Sequence, residues 1–71
     1  MTLLEIAQIY TDLVNTESAI PDNEYCAKDQ INALRSKYHQ ILMKQMDADG
    51  IYFADRFDAT RKAFELINSN E

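Results

Sequence analysis

Apolar residues recur along the chain at helical spacing, and they predict three helices. Between Asp22 and Met46, Ala27, Ile31, Leu34, Tyr38, Ile41 and Gln45 follow one another at alternating steps of four and three. That is the period of a helix with one buried stripe. Leu3, Ile6, Ala7, Tyr10, Leu13 and Val14 form a second stripe nearer the start, with Leu4 and Ile9 outside it. Phe53, Phe57, Thr60, Phe64 and Ile67, with Ala63 beside them, form a third.

Polar residues punctuate these stripes. Thr2 followed by Glu5 fits a capping box, in which each side chain satisfies a free amide of the other residue. The first helix is expected over residues 3–16. The segment Asn15–Pro21 reads as a connection, because Pro21 disfavours helical geometry at Ile20. Asp22 is the expected cap of a second helix over 23–47, with Glu24 favourable in its first turn. Gly50 can take the left-handed conformation that closes a helix, so Asp47–Gly50 is the next turn. The third helix is expected over 51–68, with Asp58–Lys62 and Arg61–Glu65 paired at neighbouring positions on its surface. The tail Ser69–Glu71 is expected to fray.

The predicted fold is all-α, a small antiparallel three-helix bundle with a longer central helix. At 1.5 Å per residue the central helix spans about 36 Å and its neighbours about 20–27 Å. Part of its length is therefore left without a neighbour. Leu42, Met43 and Met46, at its far end, are the residues expected to be uncovered.

Composition supports this picture. The chain has 71 residues with one Gly and one Pro, which suits one helical domain and argues against a turn-rich β fold. A hydrophobic content of 46% is that of a folded chain. With Cys26 the only cysteine and His39 the only histidine, neither an intrachain disulfide nor a Cys/His zinc site can form. The lone thiol and the acidic, non-basic start predict a cytoplasmic chain without a secretory leader. No run approaches the roughly 18 apolar residues of a membrane span.

The net charge of −5 is unevenly spread. Residues 1–24 carry acids and no Lys or Arg, residues 25–46 are basic, and residues 47–71 are acidic again. An acidic first helix beside a basic second helix would complement it. The same acids could meet a basic partner. Direct binding to phosphate backbones is disfavoured.

No constellation for catalysis emerges. Asp47-Ala48-Asp49-Gly50 resembles the start of a calcium loop, but Ile51 and Tyr52 then occupy positions that need an oxygen ligand and a glycine. Cys26 has no basic partner specified by the sequence and reads as a packing residue. One glycine cannot build a phosphate loop. No enzyme activity, cofactor or metal is expected.

The remaining candidate is a partner surface. Leu42, Met43 and Met46 extend apolar character around the end of the second helix beside His39, and Tyr52 can join them past the turn. Methionine adapts to partners, and exposed apolar patches mark interaction sites. The expected function is therefore a small acidic interaction protein, a regulator, adaptor or inhibitor that binds another protein. A second reading is a homo-oligomer, such as a homodimer paired through the same residues. A third is an acidic nucleic-acid mimic that blocks a basic groove.

Overall fold

In the computed structural model, which describes residues 1–69, the chain forms three helices. They are α1 (Leu3–Ala19), α2 (Tyr25–Ala48) and α3 (Arg56–Ser69). Ser69 belongs to α3, and the rest of the tail expected to fray lies outside the described residues. The largest extent of the molecule is 40 Å, close to the roughly 36 Å length of a 24-residue helix, so α2 sets its long axis.

α1 begins with the expected capping box: Glu5 N donates to the Thr2 hydroxyl at 3.2 Å, and Thr2 N donates to the Glu5 carboxylate at 3.2 Å. It runs three residues past the expected end, to Ala19. α2 begins later than expected. Its cap position is Glu24, which makes no side-chain capping bond. Glu24 N instead donates to Pro21 O at 3.0 Å, a turn that carries Asp22 away from the helix start. Asp22 pairs with Lys28 at 2.7 Å. Cys26 is exposed in the first turn of α2, so it does not pack as expected.

α2 closes on Gly50 at φ +75°. Gly50 N donates to Asp47 O at 3.1 Å and Ile51 N to Met46 O at 2.8 Å, the paired bonds of a Schellman motif. A Cβ at Gly50 would meet nothing within 4 Å. Gly50→Ala should therefore cost only the left-handed backbone strain, about 1–2 kcal/mol, read as a lower urea midpoint with unchanged slope.

The third helix starts at Arg56, five residues later than predicted. Residues Ile51–Phe53 are not helical and alternate, with Ile51 and Phe53 packed on the core and Tyr52 facing solvent. A local cap sets the helix start: Asp58 N donates to Asp55 Oδ1 at 2.8 Å, and Ala54 N donates to Asp58 Oδ2 at 2.9 Å. The Ala54 amide, then Arg61, hold the Asp58 carboxyl below its ordinary range. Such a group binds fewer protons folded than unfolded, so its contribution is present above the ordinary carboxylate range and lost as pH falls through the depressed value. Helicity should fall first at the start of α3 as pH drops below about 4, and Asp58→Asn should flatten that acid limb. Amide exchange of residues 54–59 across pH 2–6 checks both outcomes.

α2 returns along α1: Tyr10 meets His39, and further along α1 Glu17 meets Arg35, earlier in α2. α1 packs extensively on both other helices, whereas α2 and α3 touch each other sparsely. The core joins Leu3, Ile6, Ala7 and Tyr10 of α1 to Leu42 and Met46 of α2 and to Ala59 and Ala63 of α3. α1 is thus the shared helix, although α2 is the longest.

Helix facing differs from expectation on α2 and α3. Leu34, placed in the predicted stripe, is 43% exposed, while Leu42 and Met46, placed outside it, are 0% exposed. The buried face of α2 is turned by about one residue step, roughly 100°, from the predicted one. On α3 the core positions are Ala59 and Ala63, and Phe57 is 74% exposed. All buried residues of α2 lie in its last two turns. The thinly covered end of the long helix is therefore its beginning, where Tyr25 is 74% exposed.

Candidate functional site

The sparse contact between α2 and α3 leaves a furrow beside α1. One wall is α2, with Arg35, Ser36, His39, Gln40 and Met43 spaced over rather more than two turns. The other is the first turn of α3, with Arg56, Phe57 and Thr60. Tyr10 and Val14 of α1 form the floor, and the groove encloses about 340 Å³.

Hydrogen bonds hold the walls in place. His39 Nε2 lies 3.0 Å from the Arg56 carbonyl. A carbonyl only accepts, so the imidazole presents Nε2–H to it. The Thr60 hydroxyl donates to the same carbonyl at 3.1 Å. Its single proton is then committed, so the Tyr10 hydroxyl, 3.0 Å away, donates to Thr60. The His39 ring leans on the Tyr10 ring, with centroids 5.3 Å apart. His39, half-buried, thus links all three helices rather than standing free in solvent.

The groove carries Arg35, His39 and Arg56 and no carboxylate among its lining residues. Arg35 is paired with Glu17 of α1 at 2.7 Å, through Nε and Oε2 atoms that are closed off from solvent and meet at an angle unsuited to a hydrogen bond. Arg56 has no ion-pair partner among the described residues, and its guanidinium lies 5.5 Å from the centre of the Phe57 ring. Arg61 and Lys62 are engaged elsewhere, with Asp58 and Glu65, at the expected helical spacings.

No family, characterised protein or solved structure matches the chain.

The expected partner surface is divided by the fold. His39 and Met43 line the groove. Leu42 and Met46 do not belong to any surface: they are fully buried against α1 and α3, because the face of α2 is turned toward them. A homodimer paired through Met46 loses its structural basis for the same reason. Tyr52 is 77% exposed but lies outside the groove, with Lys62 above its ring and bonded to its carbonyl. Among the groove residues outside the expected partner surface are Phe57, Arg56 and Arg35. Spacing along the sequence places Phe57 in the apolar stripe of the third helix, and a lone Arg beside it carries no periodic signal.

The described residues contain no group of His, Cys, Asp or Glu placed to hold a metal ion. No described helix is long and apolar enough to cross a membrane.

Proposed function

We propose that this chain is a small protein-interaction module that acts by seating part of another protein in the groove between α2 and α3. The observation that carries this reading is Phe57: a phenylalanine 74% exposed in the first turn of α3, beside Arg56, which has no ion-pair partner among the described residues, and above an open furrow. An exposed aromatic flanked by arginine is the composition of interface anchors. Phe57 belongs neither to the core nor to the residues packed against it.

A photo-crosslinking residue at position 57, introduced in the native host, tests this. The expected result is one or a few discrete adducts that disappear when Arg56→Glu is added. The same crosslinker at exposed Lys37, outside the groove, should not give those adducts. Identical adducts from both positions would remove the groove from the reading.

A further inference from the structure

We infer that the occupant of this groove is an acidic amphipathic helix of the partner protein. This rests on the interaction reading above and goes further, because it fixes the partner's shape and charge.

The shape follows from the packing. α1 serves both other helices, while α2 and α3 scarcely touch beside it. A helix laid in the furrow would rest on both walls at once and complete a four-helix arrangement. The α2 wall supports this length, since Arg35, His39 and Met43 succeed one another at intervals of four along the furrow. Helix-in-groove recognition uses apolar anchors at such intervals on the docking helix. Met43, Phe57 and Val14 supply the apolar contact, and the flexible Met43 thioether can adjust to the anchor it meets.

The charge follows from the lining. On a chain of net charge −5, the described lining residues of the groove include two arginines and a histidine and no acid. Glu17 answers Arg35, and no described residue answers Arg56. A carboxylate on the flank of the docking helix would reach Arg56 at the groove mouth. A basic helix would meet repulsion there. The same polarity separates this occupant from a second copy's basic α2. A second copy's acidic α1 remains the competing occupant that an experiment must separate.

The experiment is selection of a random 16-residue peptide library, displayed on a helix-favouring scaffold, against the wild-type protein. Enriched sequences should carry Leu, Phe or Met at helical intervals with Asp or Glu on one flank. Calorimetry on the enriched peptides should show binding weakened about tenfold or more by Arg56→Glu and by Phe57→Ala, and unchanged by Lys37→Glu. Both groove positions are exposed, so the variants should keep the wild-type circular dichroism spectrum. Enrichment of basic or non-helical peptides at the groove overturns this occupant and leaves the interaction reading standing. Peptides that bind Arg56→Glu as well as wild type place the docking elsewhere and overturn both. Wild-type self-association in sedimentation velocity that Arg56→Glu abolishes makes the second copy the occupant and also overturns the inference.

Discussion

Leu42→Ala is expected to destabilise the protein by about 2–5 kcal/mol, the range for a leucine removed from a closed core. Leu42 is 0% exposed and sits where α2 meets the core residues of α1 and α3. A 71-residue chain at about 0.05–0.15 kcal/mol per residue has a total stability of roughly 4–11 kcal/mol. The loss is therefore a large share of the whole, and at the lower end the variant would be substantially unfolded at room temperature. Leu34→Ala is the matched comparison on the same helix. With 43% of that side chain already in water, less apolar area is lost and no closed cavity is left behind. Urea melts followed by circular dichroism should separate the two midpoints widely. Equal midpoints would show that α2 faces the core through Leu34 after all.

Ala59→Leu is expected to cost about 1–3 kcal/mol by the opposite mechanism, forcing volume into a filled site. Ala59 and Ala63 are both 0% exposed. Their small side chains let the backbone of α3 approach the core closely, and a leucine there has no free space unless α3 moves outward. Because α3 is held chiefly by α1 and scarcely by α2, such a shift would loosen its docking as a unit. Thermal melts should show a lower midpoint for Ala59→Leu and a nearly unchanged one for Ala33→Leu, at an exposed alanine of α2. Equal melting of Ala59→Leu and wild type would mean that α3 does not pack through Ala59.

These contrasts show what was legible before the fold was known. The three helices, the Thr2–Glu5 cap and the Gly50 closure all rest on local chemistry, so sequence spacing was enough to find them. The facing of α2 was not legible, because its true inner face runs through Arg35 and half-buried His39 before reaching Leu42 and Met46. Polar residues interrupt that face, and a hydrophobic pattern read alone passes it over for the cleaner stripe ending at Gln45. Arg35 is tolerated there because Glu17 comes from the neighbouring helix, a pairing that no spacing along one segment can announce. On α3 the error has another source. Alanines carry the inner face and phenylalanine the outer one, so ranking residues by size inverts them. The groove was half legible. Met43 lies on the apolar run at the end of α2 with His39 beside it, whereas Arg56 and Phe57 become neighbours of His39 only once α3 starts at Arg56 rather than at Ile51.

The placement of every buried α2 residue in its last two turns also sets a gradient along that helix. Amides near Leu42 and Met46 can exchange with solvent only when the common core opens, so their exchange should report global unfolding. Amides of Tyr25–Leu34 are tied only to their own helix, and the start of α2 has no side-chain cap to resist fraying. Deuterium should enter them through local openings of much lower free energy. The Glu17–Arg35 pair marks where protection should begin to rise. In a protease-rich setting the first cleavage would fall in the early turns of α2, leaving the groove residues beyond Arg35 on a fragment that still contains α3.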